Sequence, residues 1–242
     1  MIKFNLLKLV IDFGNSRVKL ALFSNKDLVT TKTIKLFSKK EVIGFCGDST
    51  ISSSIYSTVR KLTDSEKTLL SSLNCVELNN YTPLPISSMY ESFVGSDRIA
   101  AVVGATFLFP NKDIWVFDAG SCLTADFIDK EKKYHGGRIT LGLKMRYKAL
   151  SDYTSNLPLI NQQDYTPFKG ENTKNSIVSG VQSGILSEVK TLISEWKKEN
   201  KGFIVLFTGG DVSFFEKELK SSIFADPFLV LKGLNEILDY NE

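Results

Sequence analysis

The sequence predicts an α/β protein built twice, each half a mixed β-sheet flanked by helices. Three observations point there. An apolar strand followed by Asp-x-Gly and a small polar residue occurs at Val10-Ile11-Asp12-Phe13-Gly14-Asn15-Ser16 and again at Val116-Phe117-Asp118-Ala119-Gly120-Ser121-Cys122. The copies fall at matching places in two half-chains of a 242-residue sequence. In each half, β-prone runs joined by short turns come first and helical signals follow. The expected domains are 1–110 and 111–242, their Asp-x-Gly loops facing each other across a cleft.

The elements follow in order. Leu6 to Ile11 is mostly apolar, as a strand covered on both faces would be. Val18 to Phe23 and Leu28 to Ile34 are β-prone, and the turns at Gly14-Asn15 and Ser24-Asn25-Lys26 fit antiparallel hairpins. Helices are expected over 39–45 after Ser38 and over 65–73 after Asp64, with a β-prone run from Ile51 to Val59 between them. Ser96 or Asp97 would cap a helix reaching Phe109, stopped by Pro110 and Asn111. The second half offers strands over 113–117, 123–128 and 133–140, then a helix over 143–151. A long helix should start near Asn172 or Thr173 and run to about Asn200. Phe203 to Phe207 reads as a buried strand, followed by Thr208-Gly209-Gly210 and a helix holding Phe214, Phe215 and Leu219. Phe228 to Leu231 reads as a last strand and Leu234 to Tyr240 as a last helix. The stretch from Asn156 to Gly170, with two prolines, is the expected mobile loop or flap.

Composition narrows the chemistry. Thirty Lys and Arg against 27 Asp and Glu leave a net charge of +3, and no basic tract is dense enough for nucleic acid. Three widely spaced cysteines suit neither a disulfide framework nor a Cys-x-x-Cys metal knuckle, and suggest a reducing compartment. His135 is the sole histidine, so any Ser-His-Asp mechanism or His-rich zinc site must use it or fail. Met1 to Leu7 has no signal-peptide pattern, and no apolar stretch approaches the ~18–20 residues that span a bilayer. The expected setting is cytoplasmic and away from membranes.

The pattern that remains is a phosphate site made from backbone. A glycine-containing turn between strands presents N–H donors to phosphate oxygens with no side chain in the way. Asn15, Ser16 and Ser121 add donors and Lys19 adds charge. Asp12 and Asp118 would repel phosphate unless a cation lies between, so carboxylates at such turns imply a metal ion. Thr208-Gly209-Gly210, between a strand and a helix, is a third small-residue loop where a nucleotide can meet a helix N-terminus. Gly-x-x-x-x-Gly-Lys-[Ser/Thr] and Gly-x-Gly-x-x-Gly are both absent, which excludes a P-loop and a dinucleotide fingerprint.

The chain resembles the type III pantothenate kinases, members of the acetate kinase, sugar kinase, Hsp70 and actin superfamily. The resemblance is carried by Ile11 to Lys19, by Gly95-Ser96-Asp97-Arg98, and by Asp118 to Asp126. Gly136-Gly137-Arg138-Ile139-Thr140-Leu141-Gly142, Leu157-Pro158, Asn172-Thr173, Ser179-Gly180 and Thr208-Gly209-Gly210-Asp211 complete it, in the family's order. Gly-x-Asp-Arg between the two Asp-x-Gly loops is the specific part. The fold implied is a duplicated actin/ribonuclease H-like domain, and the activity implied is ATP-dependent phosphorylation of pantothenate, the entry to coenzyme A.

The resemblance also implies residue roles. Asp12, Phe13, Gly14, Asn15, Ser16, Arg17, Val18, Lys19 and Ser121 would contact ATP, used with Mg²⁺. Gly95, Ser96, Asp97 and Arg98 would contact pantothenate, with Asp97 as catalytic base. Asp118 would bind a monovalent cation, potassium or ammonium. Thr173 would reach pantothenate bound mainly to the other subunit of a homodimer, and the many apolar residues of the 174–193 helix place that helix near the interface. An alcohol attacking the γ-phosphate must lose its proton, which a carboxylate can accept, and Arg98 can offset charge on substrate or phosphoryl oxygens. The sequence departs from the family in carrying Ser121 for the usual threonine and Leu141 for the usual proline. Ser88 stands at the usual pocket tyrosine, with Tyr90 nearby. The rivals are a non-catalytic transcription regulator of the same fold and another small-molecule kinase of the superfamily. Retention of Asp12, Asp97, Arg98, Asp118 and Thr173 disfavours the first, and Gly-Ser-Asp-Arg the second.

Overall fold

The computed structural model describes residues 6–90, 94–161, 169–199, 202–219 and 223–242. It divides into two compact units: Met1–Asn111 with Glu131–His135 and Phe228–Glu242, and Lys112–Lys130 with Gly136–Pro227.

In the first unit, β1 (Leu6–Phe13), β2 (Val18–Ser24) and β3 (Asp27–Ile34) form an antiparallel meander. A crossover through α1 (Lys39–Cys46) brings β4 (Thr50–Thr58) parallel to β1, and α2 (Asp64–Ser72) leads to the short β5 (Val76–Glu77). The sheet order is β3-β2-β1-β4-β5. β1 sits at its centre with Leu9, Val10, Ile11 and Phe13 fully buried, which is why its sequence is apolar almost throughout. Ser38 caps α1 through the Glu41 N–H, as the sequence implies. The cap of α2 is Thr63 rather than Asp64: Thr63 and Glu66 form a reciprocal capping box, the Thr-x-x-Glu signal that marks the true start. Arg60 adds an ion pair to Glu66 at 2.7 Å, and these bonds hold the Glu66 carboxyl down at about 2.

The second unit repeats the plan. β7 (Ile114–Ala119) and β8 (Cys122–Ile128) pair antiparallel, and β9 (Lys133–Leu141) follows. Helices α4 (Leu143–Asp152) and α5 (Thr173–Glu199) lead to β10 (Ile204–Thr208), parallel to β7, and α6 (Val212–Leu219) leads to β11 (Phe224–Ala225). Among the described residues the second sheet has six strands; five of them, β9-β8-β7-β10-β11, match β3-β2-β1-β4-β5 position for position, and the short β6 (Ser87–Ser88) is added outside β9. The duplicated mixed α/β architecture is therefore a property of the sheets and not of two similar turns alone. Ile177, Val178, Val181, Ile185, Leu186, Val189, Ile193 and Trp196 of α5 all lie in the core of this unit with Phe117 and Phe207. These apolar residues of α5 are thus used in the core of the unit.

One element differs from its sequence reading. Phe228 to Leu231 does not form a strand: α7 (Leu229–Tyr240) begins there and packs on α3 (Ser96–Leu108) in the first unit. A four-residue apolar run cannot distinguish a strand from the buried start of a helix. Two glycines make the packing close. A Cβ on Gly233 would lie 1.7 Å from the Ala100 carbonyl oxygen, and one on Gly104 would lie 2.6 Å from that of Leu229. The central part of the expected 156–170 loop, residues 162–168, lies outside the described residues, as does Asn200 at the expected end of α5. Among the described residues, no helix is long and apolar enough to cross a membrane.

Candidate active site

In the first unit the end of β1, the end of β4 and the start of α3 are tied together by hydroxyl groups. Ser57 donates to Asp12 Oδ1 at 3.0 Å, and Ser96 donates to the Thr58 carbonyl at 3.1 Å. Val59 N–H donates to the Phe13 carbonyl at 3.2 Å, closing the same corner. Asp12 faces Lys19 across the β1–β2 ladder and is 7% exposed. Burial pushes its carboxyl above the usual range and the charge of Asp97 adds to the effect, against the opposing pull of Lys19 and Ser57. Asn15, Ser16 and Arg17 stand exposed at the tip of the turn. Phe13 and Val18 are core side chains, so only their main chain can meet a ligand.

The first turn of α3 carries the acid and the cation. Its N-cap is Gly95, with no side-chain cap, and Asp97 Oδ1 accepts the Arg98 N–H at 2.8 Å. Neither Ser96 nor Asp97 is the cap: both lie within the first turn, Ser96 bonded to Thr58 and Asp97 to the Arg98 N–H. A Cβ on Gly95 would sit 2.8 Å from Asp97 Oδ1, so glycine here makes room for that carboxylate. Arg98 is 6% exposed and donates to the Tyr134 hydroxyl at 2.9 Å. Its guanidinium carbon lies 5.9 Å from the ring centre of Tyr90.

In the second unit three glycine-bearing segments close around Asp118. Asp118 pairs with Thr124 on β8 and with Thr208 on β10. The turn between β7 and β8 is closed by the Gly120 N–H donating to the Cys122 carbonyl at 2.9 Å. The Gly142 N–H donates to the Ser121 carbonyl at 3.0 Å, and a Cβ on Gly142 would lie 2.1 Å from the Gly120 oxygen. Gly209 has φ +98°, and a Cβ there would meet Asp118 Oδ1 at 2.4 Å and the Ala119 oxygen at 2.5 Å. Asp211 N–H donates to the Ala119 carbonyl, and its buried carboxyl, pushed upward by that burial, lies 3.7 Å from Lys144 Nζ. At Leu141 the turn is held by Arg146, which donates to the Leu141 carbonyl at 2.9 Å and pairs with Glu188.

The structure therefore gathers Asp12, Lys19, Ser96, Asp97 and Arg98 in one unit, and Asp118 and Ser121 in the other. Thr173 is the exposed first residue of α5, capped by Asn172 through the Asn175 N–H at 2.9 Å. His135 lies exposed in β9. Sequence reasoning missed Ser57, Tyr134 and the Lys144–Asp211 pair. Ser57, Tyr134 and Lys144 read as ordinary strand or helix residues until their partners from distant segments are known, and Asp211 stood in a motif without its partner.

A model of the type III pantothenate kinase family matches residues 8–195. A type III pantothenate kinase of Phocaeicola vulgatus is 40% identical over 240 residues, covering 98% of this chain and 99% of the relative. The chain belongs to the type III pantothenate kinase family. Solved structures add the fold. A putative Baf family transcriptional activator from Campylobacter jejuni superposes with a TM-score of 0.65 at 24% identity, over 96% of this chain and 98% of the other. A putative 2-dehydro-3-deoxygalactonokinase from Sinorhizobium meliloti reaches 0.59 at 9% identity, over 97% and 99%. For this family member, Gly-Ser-Asp-Arg is the α3 start that anchors to β4, and the two Asp-x-Gly turns are the corresponding corners of two like sheets.

Proposed function

We infer that the chain transfers the γ-phosphoryl group of ATP to the primary hydroxyl of pantothenate, giving 4′-phosphopantothenate on the way to coenzyme A. The inference rests on family membership along nearly the whole chain. Retention of Asp12, Asp97, Arg98, Asp118 and Thr173 disfavours a non-catalytic regulator. Asp97 accepts the hydroxyl proton as the oxygen attacks, and Arg98 offsets negative charge on the substrate or the transferring phosphoryl oxygens. The main chain of Asp12 to Lys19, with Asn15 and Ser16, holds phosphate oxygens, and Ser121 does so in the second unit. Thr173 completes the acceptor site of a partner subunit in a homodimer.

The corner at Asp118 suits a hard cation. Asp118 Oδ1 and the Ala119 oxygen lie close together beside Gly209, and both are oxygen donors. No cluster of three or more His, Cys, Asp or Glu side chains is placed to hold a metal among the described residues, so an ion bound here would need phosphate oxygens or water to complete its ligands. Asp118 with the Ala119 carbonyl would hold potassium or ammonium, and Asp12 would meet the Mg²⁺ carried by ATP. When bound, these ions offset phosphate charge. The test is an acceptor panel. Given ATP, Mg²⁺ and K⁺, the chain should phosphorylate pantothenate and leave hexoses and acetate untouched; turnover of a sugar instead would remove the substrate assignment but keep the fold. Mixing Asp97→Asn and Thr173→Ala chains should restore activity, because both defects fall in one of the two sites of the heterodimer. No recovery after verified subunit exchange would remove the shared site.

A further inference from the structure

We propose that Tyr134 is a positioning residue of the acceptor site, its phenol fixing the direction in which Arg98 presents its guanidinium. The inference rests on the kinase reading and deepens it. Tyr134 is fully buried and Arg98 is 6% exposed, so their 2.9 Å hydrogen bond is shielded from competing water. The backbone of Tyr134 is itself fixed. Its carbonyl accepts the Met89 N–H at 2.9 Å, and it pairs with Ser88 where β6 (Ser87–Ser88) lies along β9. That same pairing sets Tyr90 beside it, with ring centres 6.1 Å apart and the Tyr90 ring 5.9 Å from the Arg98 guanidinium carbon. Arg98 is one residue beyond Asp97, on the turn that Ser96 anchors to Thr58.

Physical chemistry gives the phenol its role. Arginine carries five N–H donors in one plane, so engaging one of them at a fixed acceptor sets the aim of the others. A long side chain held in its working rotamer loses less entropy when ligand arrives. A phenol is neutral, so Tyr134 contributes orientation without cancelling any of the positive charge. A ring at this position is expected from packing alone; the hydroxyl is not.

Tyr134→Phe removes the hydroxyl and keeps the ring. The expected result is a loss of about 10-fold in kcat/KM for pantothenate, the scale of one hydrogen bond to a charged group. KM for ATP and the thermal midpoint should stay near the parent's. In an Arg98→Lys background, the same substitution should cost less than about 2-fold, since the partner it aims is gone. 4-Aminophenylalanine at position 134 keeps ring size but sets a donor against a donor, and should reproduce the loss if the phenylalanine chain folds poorly. An unchanged kcat/KM, or an equal loss with Arg98 present and absent, would overturn the proposal. A parent chain without pantothenate turnover would overturn the kinase reading and this inference together, whereas an active parent with no Tyr134–Arg98 coupling would overturn the inference alone.

Discussion

The turn after β1 and the turn after β7 share a sequence pattern and differ in how they are built. At the first, a carboxylate is buried and held by side chains: Ser57 donates to Asp12, Lys19 stands opposite, and the tip of the turn is exposed. At the second, backbone closes on backbone: Gly142 and Gly209 approach Gly120, Ser121, Asp118 and Ala119 more closely than any Cβ allows. The lesson is that a duplicated motif need not keep duplicated supports. The first corner carries an acid and a cation from α3, whereas the second is closed by glycine-bearing main chain.

Substitutions should separate the two designs. Asp97→Asn, beside the first corner, is expected to lower kcat by about 10²–10⁴-fold while the fold is retained, the range for loss of a general base. Near-parent turnover would reduce Asp97 to a substrate contact. Gly209→Ala should cost about 2 kcal/mol or more of unfolding free energy, because it combines a positive φ with contacts at 2.4 and 2.5 Å. Gly14→Ala, whose Cβ would meet only the Arg17 oxygen at 3.2 Å, should cost about 1 kcal/mol or less by denaturant titration. Equal costs would mean that the corners are built alike. Ser57→Ala should cost about 1 kcal/mol and lower affinity for ATP, since Asp12 loses a donor.

A smaller effect lies beside the first corner, where Arg60 stands 5.3 Å from the Phe13 ring centre and pairs with Glu66. Glu66 titrates at about 2 in the folded chain, below its ordinary 4.5, through Arg60 and the Thr63 cap. A lowered carboxyl contributes stability that is present above pH ~4.5 and is lost as pH falls toward ~2. The stability difference between the parent and Glu66→Gln should therefore be full at neutral pH and shrink across that acid window. A difference independent of pH would mean that the Glu66 charge contributes nothing.

The legible parts of the chain were those in which local pattern and global role agree. The Asp-x-Gly repeats carried the duplication, and β1, β2 and β3 followed from apolar runs and turn residues. The core residues of α5 were visible as a period, but not what they pack against, which is the Phe117 and Phe207 side of the sheet in the same unit. Phe228 to Leu231 misled because four apolar residues carry no period. The site divided in the same way. Asp12, Asp97, Arg98 and Asp118 stood out as charges in motifs. Tyr134 did not, because an aromatic residue in a strand reads as core, and its hydroxyl acquires a role only through Arg98, 36 residues earlier.

Phosphorus NMR of the parent chain with ATP, Mg²⁺, K⁺ and pantothenate tests the account most directly, run beside Asp97→Asn at equal ATP occupancy. The account predicts a new phosphomonoester signal on the 4′ hydroxyl from the parent, and its growth slowed by about 10²-fold or more in the variant. No ester from the parent, or the same rate from both chains, would contradict it.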